Sequence, residues 1–433
     1  MSSKKPQRVT ARFDVIVGGG QSLATLEDGR KLFAWGVLPG ETAEVLITKK
    51  KSRYLEGVAE TILESNQEVR VAPVDPESYL STSPWQIMNF ESEQHYKAAL
   101  IEEAFELHDV VLPDPIEVYS DGKEYGYRNK IEFSFWYDTE AAENPLSLAF
   151  FRRGTHGKIA VNGTSLASPA IAATAERVLA VLNSLSVEGR ALKTLMIRSA
   201  ANGDVAWQLY VKDEAFPAEA VLAALPESEN GEVIYSNPKS PASVITERLT
   251  APARALSDTI LGTPFTYATE GFFQINLPIY EQALRDMQAW VPEGIETVDM
   301  YSGVGTIGLT IGGDSTTLVE VNEYAVGEMR RNIKSLGLKA EAVLAASENA
   351  LDYITGDKTI IVDPPRAGLH EAVIERLLSE APKRIVYLSC NPVTQARDVA
   401  RLGEKYGIKA HKGYNFFPRT PHIEHLVVLD LKG

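Results

Sequence analysis

Hydrophobic and polar positions follow three rhythms along this chain of 433 residues. Over residues 1–65 they alternate in short runs. Val9–Val17, Lys31–Val37, Glu44–Lys49 and Leu55–Ile62 read as strands, with Gly18-Gly19-Gly20, Asp28-Gly29 and Pro39-Gly40 as turns. Five or so short strands in that length predict an OB-like β-barrel, the kind that binds oligonucleotides. Residues 66–255 mix two periods and predict a central α+β domain. Glu91–His108 and Pro169–Leu185 have helical spacing, while Tyr127–Tyr137, Leu146–Arg152, Leu195–Ser199 and Ala206–Val211 read as strands. Ser236–Ser243 reads as a loop. Residues 256–433 alternate regularly, the pattern of a doubly wound parallel sheet. Its strands are Thr297–Met300, Thr316–Val321, Ala342–Ala345, Thr359–Val362, Arg384–Leu388 and His425–Leu431, with helices at Glu323–Leu336, Glu371–Glu380 and Thr394–Leu402.

Composition narrows the setting. The length suits two or three domains with real cores. One cysteine excludes a disulfide framework and suits a reducing, cytoplasmic location. The start, Met1-Ser2-Ser3-Lys4-Lys5-Pro6, lacks an apolar signal core, and no stretch is long and apolar enough to span a bilayer. No membrane partner is expected, and nothing demands more than a monomer. A net charge of −15 argues against a generally sticky nucleic-acid coat. The charge is uneven, however: residues 1–60 carry ten Lys/Arg against seven Asp/Glu. Lys49-Lys50-Lys51-Ser52-Arg53-Tyr54 reads as a solvated hairpin tip. On a small barrel it is also able to follow a phosphate backbone.

The candidate chemistry lies in the last segment. Val298 to Gly308 is a strand, a glycine-rich turn and the start of a helix, with Gly303, Gly305 and Gly308 letting a ligand approach the backbone. Glu320 ends the next strand, where an acid accepts hydrogen bonds from ribose hydroxyls. Alone, this suits a nicotinamide dinucleotide and S-adenosylmethionine equally, or a tight turn with no ligand. Asp363 ends a further strand and is followed by two prolines, a stiff edge beside the cofactor position. The single cysteine, Cys390, follows the apolar strand Arg384–Leu388. Asn391 is a cap residue and Pro392 suits the first helical position, so the thiol is predicted at a strand's carboxyl edge facing a helix N-terminus. A helix dipole there favours thiolate. A buried structural cysteine is the other reading. Glu424, in apolar company at the start of the last strand, is a candidate base with a raised pKa.

Taken in order, the motifs resemble the RNA uracil-5-methyltransferases, which make 5-methyluridine in ribosomal and transfer RNA. Those that match are Tyr127-Arg128-Asn129-Lys130, Phe272-Phe273-Gln274-Ile275-Asn276, Asp363-Pro364-Pro365-Arg366-Ala367-Gly368, Ser389-Cys390-Asn391-Pro392 and His422-Ile423-Glu424. Pro39-Gly40-Glu41 resembles the turn of a TRAM domain. The resemblance implies a class I, Rossmann-like methyltransferase domain at 256–433 behind an RNA-binding barrel. It implies S-adenosylmethionine as methyl donor, lined by Gln274, Tyr301, Gly303, Gly305, Thr306, Glu320 and Asp363, with a residue near Glu348 or Asn349 flanking the adenine. It implies Cys390 as nucleophile, Glu424 as base and RNA, ribosomal or transfer, as substrate. No metal is required.

One departure is plain. Many ribosomal-RNA members of that family carry four cysteines for an iron–sulfur cluster. Here Leu80, Ser83 and Ser165 stand at such positions, and one cysteine cannot supply four thiolates. No cluster is expected. Two other function classes remain at this point: a dinucleotide-dependent oxidoreductase, which leaves Cys390 and Glu424 unexplained, and a non-catalytic RNA-binding relative. A metal site at His422 and His425 is disfavoured, because positions three apart on a strand face opposite ways.

Overall fold

The computed structural model describes residues 7–141, 145–155, 157–226, 228–313 and 315–433; Met1–Pro6, the start of the expected first segment, lie outside the described residues. The N-terminal alternation becomes six strands: β1 (Arg8–Arg12), β2 (Val15–Ile16), β3 (Ser22–Thr25), β4 (Lys31–Trp35), β5 (Thr42–Lys50) and β6 (Tyr54–Glu64). Their ladder order is β1-β5-β6-β4-β3-β2. Every second residue of β4, β5 and β6 turns inward, and Leu32, Ala34, Ala43, Val45 and Leu55 close around Phe13. The sequence reading passes over β3, whose Ser22-Leu23-Ala24-Thr25 is short and weakly β-prone. Gly40 turns with φ 83°, and buried Glu41 accepts from Leu38 N at 2.8 Å and Asn66 N at 3.2 Å while pairing with Arg70. The basic cluster is the exposed tip between β5 and β6.

Residues 66–119, read from sequence as the beginning of the central domain, pack elsewhere. After a single turn, α1 (Tyr79–Thr82), comes α2 (Phe90–Glu106), opened by Asn89, whose side chain accepts from Ser92 N. Its Ile101, Ala104 and Phe105 enter the core of the C-terminal sheet, and β7 (Val118–Tyr119) pairs with that sheet's edge. Helical spacing shows that a face is apolar but not whose core it completes.

The central sheet is built from β8 (Lys130–Tyr137), β9 (Leu146–Phe151), β10 (Lys158–Val161), β11 (Leu192–Ser199), β12 (Val205–Val211), β13 (Gly231–Tyr235) and β14 (Glu247–Arg248). Their order is β10-β9-β8-β11-β12-β13-β14. Helix α3 (Pro169–Ser184), capped by Ser168 and begun by Pro169, lays Ile171, Ala175, Val178 and Leu182 on this sheet; a short α4 (Ala218–Ala223) adds Val221. A hairpin, β15 (Leu256–Ile260) and β16 (Thr263–Tyr267), and helix α5 (Leu277–Gln288) lead into the last unit.

That unit contains β17 (Thr297–Met300), α6 (Thr306–Ile311), β18 (Thr316–Glu320), α7 (Glu323–Leu336), β19 (Glu341–Leu344), β20 (Thr359–Val362), α8 (Glu371–Glu380), β21 (Arg384–Ser389), α9 (Pro392–Leu402), β22 (Tyr406–Tyr414) and β23 (Glu424–Leu431). The eight-stranded order is β19-β18-β17-β20-β21-β23-β22-β7. The sheet is parallel from β19 to β21, as expected, but β23 runs antiparallel between β21 and β22. Strand order reverses at β17, between β18 and β20, which opens a crevice at the strands' carboxyl ends. The sequence reading misses β22, where Lys409, His411 and Lys412 break the apolar run.

Candidate active site

The crevice widens into a cavity of about 1290 Å³. Of the cofactor and catalytic residues singled out from sequence, Gln274, Tyr301, Gly303, Thr306, Glu320, Asp363, Cys390 and Glu424 line it, whereas Gly305 and Gly308 do not. Ser347 and Glu348 also line it; Asn349 is not among the lining residues.

One end is built on the glycine turn. Tyr301, Gly303 and Gly305 have φ of 66°, 56° and 90°, left-handed values that cost a non-glycine residue about 1–2 kcal/mol. Tyr301 tolerates this while its hydroxyl accepts from Ser347 Oγ at 2.9 Å. Gly305 caps α6, and a Cβ there would meet Leu309, Met329 and Leu318 at 3.0–3.2 Å, so its role is packing beneath the turn. A Cβ on Gly308 would lie 2.9 Å from Asp299 Oδ2, which accepts the Gly308 N–H at 2.9 Å. Glu320 accepts from Gly303 N at 2.9 Å and from Asn322 N at 2.8 Å. Thr306 Oγ1 meets the Tyr280 hydroxyl at 2.7 Å. Exposed apolar side chains, Phe272, Val321 and Tyr324, border this end.

The other end holds the reactive groups. Ser389 pairs with His425 in the antiparallel ladder of β21 and β23. Cys390 directly follows Ser389 and Glu424 directly precedes His425, and both line the cavity, where the Glu424 charge acts on the thiol. Gln395, buried on α9, donates to the carbonyls of Tyr387 and His425 at 3.0 and 2.9 Å and so binds both strands behind this pair. Asn391 caps α9 through Val393 N, Pro392 takes the first turn, and Asn391 Nδ2 donates to the Arg366 carbonyl at 2.8 Å. The loop after Asp363 is thereby tied to the loop that carries Cys390.

Electrostatics here run against one expectation. Burial pushes the Cys390 thiol up to about 12, with Glu424 and Asp363 adding to the rise; Arg366 opposes it. The helix N-terminus does not win, because burial outweighs it and two carboxylates in the cavity add to the rise. Burial likewise raises Asp363 to about 7 and Glu424 well above its ordinary range; Asp363 adds to the rise of Glu424 and Arg366 opposes it. Arg366 is therefore a cation that acts on both Cys390 and Glu424. Among the described residues its guanidinium has no ion-pair partner.

Sequence reasoning missed the support beneath Glu424. Residues 415–419 are held by a buried network from α2. Lys97 pairs with Glu93 at 3.1 Å and donates to Asn415 Oδ1 and to the Phe417 carbonyl; Glu93 accepts from Asn415 Nδ2 and Arg419 N. His422 lines the cavity, whereas buried His425 binds Gln395 Oε1 at 2.7 Å, so the two histidines do face apart. No metal-binding cluster occurs among the described residues.

Around Ser83 and Ser165 stands a polar knot. Ser83 Oγ and Ser165 Oγ both accept from Gln86 Nε2, at 2.7 and 3.4 Å, and Asp75 accepts from Ser165 N and Oγ at 3.1 and 2.8 Å. Leu80, in α1, gives its carbonyl to Arg153.

A sheet of this order with a ligand crevice at its switch point defines a class I methyltransferase fold. Residues 350–432 match the family model described as tRNA (Uracil-5-)-methyltransferase. A protein of Enterococcus faecalis described as an uncharacterized RNA methyltransferase is 29% identical, covering 93% of each chain. One of Fusobacterium nucleatum with the same description is 27% identical over 98% of this chain and 96% of its own. The crystal structure of Pyrococcus abyssi tRNA (uracil-54, C5)-methyltransferase in complex with S-adenosyl-L-homocysteine superposes with a TM-score of 0.76 at 24% identity, over 98% of this chain and 100% of that one. Over nearly its whole length the chain is similar to proteins described as RNA methyltransferases.

Proposed function

We propose that the protein transfers a methyl group from S-adenosylmethionine to carbon 5 of a uridine in RNA, ribosomal or transfer, through a covalent bond between Cys390 and the uracil. The observation that carries this reading is a single cavity with two ends. One end presents a glycine turn and the strand-end acid Glu320, and the other holds both Cys390 and Glu424.

The residues at the first end fit the methyl donor. Open space lies above Gly303, where a Cβ would meet nothing within 4 Å, and Glu320 retains free lone pairs for ribose hydroxyls. Phe272, Val321 and Tyr324 offer apolar surface for an adenine, and Gln274, Tyr301, Thr306 and Asp363 complete the lining. Bound there, S-adenosylmethionine supplies an electrophilic methyl for carbon 5.

At the second end, the Cys390 thiolate adds to carbon 6, and the displaced π electrons pass to the carbon 4 oxygen as an enolate that is nucleophilic at carbon 5. The α9 N-terminus and Arg366 favour the anion, and neutralising either neighbouring acid reduces its cost. Once methylated, carbon 5 still bears its original hydrogen. Glu424 takes that proton, the carbon 5–carbon 6 double bond re-forms, and the thiolate leaves. A base stacked in a duplex hides carbon 6, so the target is flipped out or unpaired. The N-terminal sheet, read as a TRAM-like OB barrel, holds RNA with its basic tip. The single cysteine suits the cytosol, and the reaction needs one copy of the chain.

An oxidoreductase would use the same turn and Glu320 but leaves Cys390 and Glu424 idle. Binding of NADH in preference to S-adenosylhomocysteine would favour it. The direct test is nucleoside analysis of separated ribosomal and transfer RNA pools after incubation with protein and labelled methyl donor. Label in 5-methyluridine is expected; its absence from both pools would refute the proposal.

A further inference from the structure

Beside the main cavity lies a second, of about 350 Å³, at the lower end of the range for ligand pockets. The two share Ile275 in their walls. Its polar lining is Ser81, Thr82, Thr164, Arg128, Lys130 and Glu132, hydroxyls with two cations and one carboxylate, and Phe150 adds an aromatic side chain.

Arg128 stands at the junction. Its guanidinium lies 5.9 Å from the Tyr127 ring centroid and 6.0 Å from that of Phe417, which lines the main cavity. Its Nε donates to the Tyr127 hydroxyl at 3.4 Å, and that hydroxyl is fixed on the Pro418 carbonyl at 3.0 Å. Among the described residues no carboxylate pairs with it. Lys130 is charge-paired with Glu132 at 3.2 Å, yet burial and Arg198 lower its pKa. On a chain of net charge −15, the cations here are locally in excess. Burial first, and then Arg366, Lys97, Arg128 and Arg153, push His422 down to about 4. A rigid, unneutralised guanidinium beside hydroxyl donors is the recognition chemistry of a phosphodiester.

We infer that the second cavity is a subsite for the nucleotide joined to the target uridine, with Arg128 and Lys130 on its phosphodiester and Phe150 offered to its base. The inference rests on the proposed RNA reaction. A flipped uridine remains tied to its neighbours, so the rim of its cavity must meet backbone phosphate. The subsite lies next to the Ser83–Ser165 knot, through Thr82 and Thr164.

The test uses the full chain and a fluorescent single-stranded RNA oligomer with one central uridine. Binding is read as anisotropy against salt, and methyl transfer to the same oligomer is measured in parallel. Arg128→Gln is expected to weaken binding about tenfold and to remove roughly 0.7 from the log–log salt slope, the share of one phosphate on a single strand. Thr82→Trp, which fills the cavity without touching a charge, should weaken binding without changing the slope. A neutral methylphosphonate on one side of the uridine should weaken the wild type about tenfold and leave Arg128→Gln unaffected. S-adenosylhomocysteine binding reports an intact fold in each variant. If both variants bind RNA as tightly as wild type, with the same slope, the subsite is refuted whether or not methyl is transferred. If wild type methylates no uridine while binding still depends on Arg128 and the flanking phosphate, the subsite stands and the reaction reading falls.

Discussion

Cys390 directly follows and Glu424 directly precedes the paired residues Ser389 and His425 of two antiparallel strands, and both line one cavity. The proposed mechanism gives the two side chains separate roles, nucleophile and base, that substitution can tell apart. Cys390→Ala should abolish methyl transfer and form no adduct. Glu424→Gln should still add and methylate but fail to eliminate, so a methylated protein–RNA adduct accumulates on denaturing gels with labelled methyl donor. Normal turnover by either variant would overturn the assignment. With 5-fluorouridine RNA the wild type should trap the same adduct, because fluorine cannot leave as a cation.

The thiol's own chemistry offers a second measurement, made clean by its being the chain's one cysteine. Its pKa of about 12 in the free protein is raised partly by Asp363 and Glu424. Removing a negative charge lowers a thiol pKa, so Asp363→Asn should enlarge the thiolate fraction and speed iodoacetamide alkylation several-fold at pH 9. That pH lies above the value of about 7 at which Asp363 ionises, so the charge being removed is present. An unchanged or slower rate would show that Asp363 does not act on the thiol.

Glu320 joins the ribose position to the turn through Gly303 N at 2.9 Å. Glu320→Ala should weaken S-adenosylhomocysteine binding by about 1–3 kcal/mol, the loss of charge-assisted bonds. Equal affinity by calorimetry would remove Glu320 from the site.

Lys97 and Glu93 are fully buried, and removing one partner strands the other. Lys97→Met should cost about 3–5 kcal/mol of stability, and Glu93→Gln added to it should recover part of that. Thermal unfolding of the single and double variants measures the coupling. Strict additivity would mean that the pair does not act as a unit.

The tip between β5 and β6 is the exposed basic feature of the N-terminal sheet. Replacing Lys50, Lys51 and Arg53 with glutamine should reduce RNA affinity and flatten its salt dependence, with S-adenosylhomocysteine binding unchanged. An unaltered slope would show that the tip is not an RNA contact. Substitution is cleaner than deleting the segment, because Trp85 Nε1 donates to the Gly20 carbonyl and the Arg153 guanidinium sits 4.3 Å from the Trp35 ring.

Local signals were legible, and distant ones were not. Glu323–Leu336 and Glu371–Glu380 form helices at the bounds their periodicity predicts, because caps and apolar spacing are written within the segment. The glycine turn, Cys390 and Glu424 were legible because strand ends and short motifs carry them. Lys97 and Arg419 carry no local signal of their role; only the folded chain brings them to Glu93. The thiol's raised pKa was hidden for the same reason, since it depends on burial first and then on carboxylates from two other strands. Arg128 was visible within a motif, but the cavity behind it is assembled from β8, β9 and the turn around Thr164.

Asn415 Nδ2 reaches Glu93 Oε1 across 322 residues of chain, with the whole central sheet formed in between. A ribosome therefore exposes α2, with Ile101, Ala104 and Phe105 on its apolar face, long before β22 and β23 exist to cover it. The central sheet pairs within itself and is able to close early, whereas the methyltransferase core waits for nearly the last strand. Such delay makes for slow, non-local assembly and a long interval of exposed hydrophobic surface. The cavity is thus completed late in biosynthesis, and a nascent chain stalled before residue 415 would carry the N-terminal and central sheets with no finished site behind them.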